Sequence, residues 1–97
     1  MNVIARKTLK QFWTRHTDAE QELKSWYHEV KRATWQNSAE LKNRYPKASI
    51  INSERVVFNI CRNSYRLVVR INYESGTVFI KFIGTHAEYD AIDVETI

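Results

Sequence analysis

Three residues near the end of the chain carry side chains suited to acid–base chemistry. His86, Tyr89 and Asp90 occur in the segment Gly-Thr-His-Ala-Glu-Tyr-Asp, directly after a β-like run that contains Lys81. Histidine is the natural general acid or base near neutral pH. A tyrosine hydroxyl ordinarily has a pKa of about 10, so it could take part only beside cations that lower that value. The same pattern also allows a structural interpretation, in which His86 starts a C-terminal turn, Tyr89 packs on a sheet and Asp90 is solvated.

Cations that could accompany this chemistry occupy alternating positions in β-like sequence. Arg66 and Arg70 lie in the second, and Lys81 in the third, of three Val- and Ile-rich runs between residues 55 and 90. Successive strand side chains point to opposite faces, so these three cations should share one face, here called the basic face. Phe79 is expected on that face too. The large apolar residues of the second run would cover a core on the other face.

A second group of cations precedes these strands. Lys42, Arg44 and Lys47 surround a proline, and Arg55 opens the first long run. Such a cluster is usually only a solvated face. Next to a basic sheet it becomes a candidate for phosphate contacts.

The basic face is suited to RNA. Its cations and those of the preceding loop would contact phosphates, which supplies affinity but little sequence information. Phe79 and Tyr89 could stack on unpaired bases. A module that binds RNA or the ribosome without cleaving RNA is the alternative function for the same surface.

RNA also brings its own nucleophile, the 2′-hydroxyl group. Cleavage then needs a base for its proton, cations for the charged phosphorane and an acid for the leaving 5′-oxygen. His86 and Tyr89 are the candidates for proton transfer, and Arg66 and Lys81 for stabilisation of the transition state. Asp90 could orient His86. No cofactor is needed, and two ligands at the spacing of His86 and Asp90 are too few for a metal site.

Length and composition predict one globular domain spanning residues 1–97, because 43% of the residues are hydrophobic and glycine and proline are few. The net charge of +4 favours an acidic partner. No apolar run is long enough to cross a bilayer, and no signal peptide is recognisable. The single Cys61 is expected to be an inert thiol among strand residues and fits a reducing, cytoplasmic setting.

The elements predicted along the chain are a short strand, several helices and then the strands of an antiparallel meander. Residues 2–4 favour an edge strand, and residues 5–16 a helix with Leu9, Phe12 and Trp13 on its apolar side. Capping patterns predict further helix starts at Thr17 and Asn37. Residues 48–51 favour a strand and residues 87–92 a last helical turn. Simple alternation through the third run would put Phe82 on the core side and Ile83 with the cations.

Several segments also carry a family resemblance. They are Trp35, Leu41-Lys42, Tyr45-Pro46, Arg55-Val56-Val57-Phe58-Asn59-Ile60, Asn63, Tyr65-Arg66-Leu67-Val68 and Gly84-Thr85-His86-Ala87-Glu88-Tyr89-Asp90. Together they resemble the HigB-type toxins, which belong to the RelE-like group of type II toxin–antitoxin systems. The resemblance covers nearly the whole chain, and its most specific part is the Thr-His-x-Glu-Tyr-Asp ending.

The resemblance implies a small α+β fold, with N-terminal helices packed on one face of an antiparallel sheet. It implies a metal-independent endoribonuclease, or mRNA interferase, that cuts mRNA on the translating ribosome and arrests translation. It also implies a neighbouring helix-turn-helix antitoxin of the HigA type as partner. Since no apolar run could span a bilayer, no membrane partner is expected. Family active sites combine basic sheet residues with His or Tyr near the C-terminus, which correspond here to Arg66, Lys81, His86 and Tyr89, and less directly to Arg70.

Overall fold

Three helices lie on one face of a five-stranded sheet, and a short fourth helix follows the last strand. The computed structural model describes all 97 residues. The elements are β1 (Asn2–Ile4), α1 (Arg6–Arg15), a 3-10 turn (Thr17–Ala19), α2 (Glu20–Arg32), α3 (Ser38–Arg44), β2 (Ser49–Ile50), β3 (Arg55–Ile60), β4 (Tyr65–Asn72), β5 (Thr77–Thr85) and α4 (His86–Asp90). The predicted α+β class is confirmed. None of these helices is both long and apolar enough to span a membrane.

The sheet has the strand order β1-β5-β4-β3-β2. Strands β3, β4 and β5 form the predicted antiparallel meander, and β2 adds two residues to its edge. Strand β1 pairs with β5 in parallel, with Val3 opposite Val78, so the sheet as a whole is mixed. Parallel pairing is possible here because most of the chain separates the two strands, and no hairpin turn constrains their direction.

The core fills the space between the helices and one face of the sheet. Its buried side chains, from the helices, the strands and the segments between them, form one cluster: Leu9, Phe12, Trp13, Ala19, Leu23, Trp26, Val30, Leu41, Ala48, Val56, Phe58, Ile60, Tyr65, Leu67, Val69, Ile71, Val78 and Ile80. On β4 the odd-numbered residues from Tyr65 to Ile71 all belong to it. The even-numbered residues, Arg66 and Arg70 among them, therefore face away from the helices, as alternation predicts.

A β-bulge in β5 changes the faces that simple alternation predicts for that strand. Val69 pairs with Ile80 and Val68 pairs with Phe82, so Lys81 is an extra residue between them. At a bulge, two successive side chains oppose one residue of the partner strand. Lys81 and Phe82 therefore both face away from the helices, and Ile83 packs against the core. The predicted faces of Phe82 and Ile83 were wrong, whereas that of Lys81 agrees with the structure.

One of the two helix starts predicted from capping patterns agrees with the structure, and the other does not. Asn37 caps α3 as predicted, because its Oδ1 accepts a hydrogen bond from the Glu40 N–H at 3.0 Å. The predicted capping box at Thr17 is wrong, since Thr17 lies inside the 3-10 turn and α2 begins at Glu20 without a side-chain cap.

The turn between β3 and β4 contains Cys61, which was expected among strand residues. Cys61 and Arg62 have positive φ angles of 52° and 63°. Burial raises the pKa of the Cys61 thiol, and the nearby Glu22 and Asp18 carboxylates raise it further. A raised pKa disfavours the reactive thiolate, in keeping with the expectation of an inert thiol.

Candidate active site on the basic face

Strand pairing gathers the predicted sheet cations on one surface. Arg70 lies directly opposite Arg55 on β3 and opposite Phe79 on β5. Arg66 lies opposite Asn59 on β3. Residues directly opposite each other share a face of the sheet. The basic face therefore carries Arg55 and Phe79 as well as its three defining cations.

The floor of the basic face is apolar at its centre. Val57 and Val68 are cross-strand partners and only 2% and 0% exposed. Phe82 continues this row on β5, where it lies opposite Val68. Charged groups beside such a floor are less well solvated than on an open surface, which strengthens their interactions with a ligand.

Arg66 is the cation of this surface whose surroundings best suit it to bind an anionic ligand. Its guanidinium Nη1 donates a hydrogen bond to Asn59 Oδ1, and its Nε is buried without a hydrogen-bond partner. Its Cζ lies 5.6 Å from the centre of the Tyr89 ring, within cation–π range. Arg66 takes part in none of the five salt bridges of the protein. It is thus a half-buried cation whose charge no carboxylate compensates.

Helix α4 carries both acid–base candidates, and one of them, Tyr89, reaches Arg66. His86 Nδ1 lies 3.2 Å from Asp90 Oδ2, as the spacing of four residues allows. Both side chains are more than half exposed, so this pair adds little stability. The contact orients the imidazole and leaves its Nε2 free. Tyr89 lies one turn from His86 on the same helix and contacts Arg66 through its ring.

A capping box that the sequence reasoning missed holds α4 on the end of β5. Thr85 Oγ1 accepts a hydrogen bond from the Glu88 N–H at 3.2 Å, and the Glu88 carboxylate accepts one from the Thr85 N–H at 2.8 Å. The hydrogen bond from the Thr85 N–H holds the pKa of the Glu88 carboxyl below its usual value, with a second contribution from the Thr85 hydroxyl. The pattern Thr-x-x-Glu at positions 85–88 was the signal that could have revealed it.

Gly84 makes room for this arrangement. It lies opposite Arg66, and a Cβ atom at this position would come within 2.6 Å of Phe82 Cζ and 2.9 Å of Glu88 Oε1. The absence of a side chain lets the Phe82 ring and the Glu88 carboxylate pack against the backbone beneath α4.

Two of the other predicted cations are already paired on this surface. The Arg70 Nε lies 3.2 Å from Glu54 Oε2. Arg55 lies 3.7 Å from the same carboxylate and also donates to the Ile97 carbonyl oxygen at 2.8 and 3.0 Å. Lys81, by contrast, is exposed and forms no salt bridge or hydrogen bond. Of the basic-face cations, only Arg66 and Lys81 therefore keep an uncompensated charge.

The loop cations have separate surroundings. Lys42 Nζ donates to the carbonyl oxygens of Pro46 and Ala48, each at 2.8 Å, and so fixes the loop after α3. Arg44 forms a 2.5 Å ion pair with Glu29 on α2. Lys47 is exposed and unpaired. These three side chains are not brought together with His86 and Tyr89 by any contact of the structure.

Phe79 keeps the exposure that base stacking would require. It is 38% exposed on the basic face, where Ile4 of β1 lies beside it and is 40% exposed. No large apolar side chain of α1 or α2 is comparably exposed. Ile50 on the edge strand β2 is also exposed, at 37%. Two of the three exposed large apolar side chains therefore adjoin the cations.

A known protein family matches most of this chain. The comparison with curated proteins found no match. A family model described as HigB toxin, the RelE-like toxic component of a toxin–antitoxin system, matches residues 19–92. The match spans α2, α3, four of the five strands and α4, and with them the whole basic face. Membership implies an antitoxin as partner. The chain belongs to the HigB family of RelE-like toxins.

Proposed function

We propose that the chain, as a single domain of residues 1–97, is a ribosome-dependent endoribonuclease that cleaves mRNA and thereby inhibits translation. Family membership supports the role of a toxin. The observation that carries the catalytic proposal is the environment of Arg66. Arg66 is a half-buried cation without a carboxylate partner, and it contacts the ring of Tyr89. Tyr89 lies on α4, the helix that also carries the His86–Asp90 pair.

A cation in this state favours an anionic ligand. Burial of a charge without compensation is unfavourable, and an RNA phosphate beside the guanidinium would relieve that cost. Lys81 is free to contact the same or a neighbouring phosphate. Phe79 supplies an exposed ring for a base, and Arg70 and Arg55 could exchange Glu54 for phosphates. Lys42, Arg44 and Lys47 remain candidates for more distant backbone contacts.

In the proposed reaction, the RNA 2′-hydroxyl attacks the adjacent phosphorus while His86 or Tyr89 takes its proton. The bond from phosphorus to the 5′-oxygen then breaks, and the other of the two residues protonates that oxygen. Because Asp90 contacts His86 at Nδ1, the Nε2 atom of His86 stays available to accept or donate the proton. Arg66 and Lys81 stabilise the extra negative charge of the phosphorane. The products are a 2′,3′-cyclic phosphate upstream and a 5′-hydroxyl downstream.

The test is cleavage of mRNA on purified ribosomes by wild-type protein and by the variants His86→Ala and Tyr89→Phe. Loss of a general acid or base lowers the rate by roughly 10²–10⁴-fold, so we expect losses of that size with binding retained. The matched controls are His28→Ala and Tyr27→Phe on α2. They make the same chemical changes on the helix layer, away from the basic face, and should leave cleavage unchanged.

The chemistry of the fragment ends provides an independent test. Attack by the 2′-hydroxyl predicts a 5′-hydroxyl on the downstream fragment, which polynucleotide kinase labels directly. A 5′-phosphate would refute the mechanism. Binding to ribosomes with no cleavage by the wild-type protein would instead support the non-catalytic RNA-binding alternative.

A further inference from the structure

Asn59 makes the only side-chain hydrogen bond to Arg66, and neither sequence pattern nor family resemblance assigned it a role. The two residues are directly opposite each other on β3 and β4, both facing away from the core. Asn59 Oδ1 accepts a hydrogen bond from Arg66 Nη1. The central strands of the sheet thus hold both partners in fixed positions.

The partner of Arg66 differs in kind from the partners of the arginines that form salt bridges. Arg55 and Arg70 lie against the Glu54 carboxylate, and Arg44 against the Glu29 carboxylate. An amide oxygen can orient a guanidinium as a carboxylate does, but it carries no net charge. Arg66 is therefore held in place while its positive charge stays uncompensated.

We propose that Asn59 is a positioning residue that orients Arg66 toward the scissile phosphate and, by being neutral, preserves its charge for the transition state. This inference rests on the proposed endoribonuclease function. The amide fixes one edge of the guanidinium, and the Tyr89 ring lies beside the group. The remaining N–H groups stay available to phosphate oxygens.

The decisive variant is Asn59→Asp, which keeps the size of the side chain and adds one negative charge beside Arg66. We expect it to lower the cleavage rate on mRNA-programmed ribosomes by about 10²-fold, the usual effect of losing one electrostatic stabiliser. It should also flatten the dependence of log affinity on log salt concentration by about 0.7, the value for one lost phosphate contact on a single strand. A change that acted only on folding would not alter this slope.

Two further variants separate the effect of the Arg66 charge from the effect of the Arg66 orientation and from that of the overall charge of the protein. Asn59→Ala removes the acceptor but leaves Arg66 positive, so cleavage should fall by about tenfold with an unchanged salt slope. Asn63→Asp adds the same charge in the exposed turn between β3 and β4, where Asn63 makes no hydrogen bond, and should change neither quantity appreciably. Circular dichroism and thermal melting show whether each variant is folded.

The outcomes distinguish this inference from the proposed function. Wild-type cleavage and salt slope in Asn59→Asp, with Arg66→Ala inactive, would overturn the role of Asn59 and leave the enzyme assignment intact. Equal losses in Asn59→Asp and Asn63→Asp would also overturn it, because net charge alone would explain both. If the wild-type protein cleaves nothing, the function fails, and the salt slopes alone still decide whether Asn59 preserves the charge of Arg66.

Discussion

Replacement of Gly84 by alanine tests whether the position of α4 controls activity. The added methyl carbon would lie 2.6 Å from Phe82 Cζ and 2.9 Å from Glu88 Oε1. Carbon atoms ordinarily approach to about 3.5–4.0 Å, so the Phe82 ring, the Glu88 carboxylate or the backbone between them must move by about 1 Å. Glu88 is half of the capping box that holds α4.

The expected loss of stability is small and the expected loss of activity is large. Both contacted atoms lie at the ends of flexible side chains, so the main cost is a weakened cap of about 1 kcal/mol. For a domain of this size, that lowers Tm by about 4–8 °C. A displacement of about 1 Å in His86 and Tyr89 can reduce the rate by about 10²-fold. We therefore expect cleavage to fall far more than the melting temperature suggests.

Gly76→Ala is the matched control for Gly84→Ala. Gly76 lies in the turn between β4 and β5 with a φ of 67°, and a Cβ there would meet nothing within 4 Å. The Gly76→Ala substitution should destabilise the protein by about 1 kcal/mol, because alanine disfavours the left-handed backbone conformation, and it should displace nothing near α4. It should lose a similar amount of Tm and keep wild-type cleavage. Equal cleavage losses in the two variants, or full activity in Gly84→Ala, would refute the link between α4 and activity.

Three further predictions use charges around the site. Glu54→Gln should release Arg70 for RNA and steepen the salt dependence of ribosome binding by about 0.7; an unchanged slope would show that Arg70 makes no phosphate contact. Because hydrogen bonds depress the pKa of the Glu88 carboxyl, its stabilisation exists above the unfolded value of 4.5 and is lost as pH falls through the folded value. Melting temperatures of wild-type protein and Glu88→Gln should therefore differ most near pH 7 and converge in acid, and a constant difference would contradict this. Since two of the three exposed large apolar side chains, Ile4 and Phe79, adjoin the basic face, we expect the antitoxin to cover that face with acidic residues. Lys81→Glu should therefore weaken the complex at least tenfold in calorimetry, and an unaltered Kd would place the antitoxin elsewhere.

Features with a local cause were predictable from the sequence. The alternation along β4 placed Arg66 and Arg70 on one face because the neighbouring residues bury their side chains in the core. The cap at Asn37 depends on a residue only three positions away. The spacing of four between His86 and Asp90 put them within contact distance once α4 formed. In each case the interaction partners lie within one turn or one strand.

Features that depend on pairing between distant segments were not predictable in the same way. The bulge at Lys81 arises from the register between β4 and β5, and one extra residue moved Phe82 to the opposite face. The contact between Asn59 and Arg66 depends on the length of the turn that joins their strands. The pairing of Glu54 with Arg70 spans 16 positions and depends on the same register. The identity of the cations was therefore available from sequence, but which of them are already neutralised was not.

The strand that carries Arg66 and the helix that carries His86 and Tyr89 differ in how firmly they are packed. This difference explains why the helix needs a cap. Arg66 lies on β4, which is hydrogen-bonded to strands on both sides and buries Leu67 completely on the opposite face. Helix α4 has five residues, none of them buried, so few apolar contacts resist its local opening. A preorganised cation is useful only if the proton-transfer groups remain within reach of the same phosphate. The capping box of Thr85 and Glu88, packed over Gly84, therefore holds the sparsely packed α4 on the end of β5, beside Arg66.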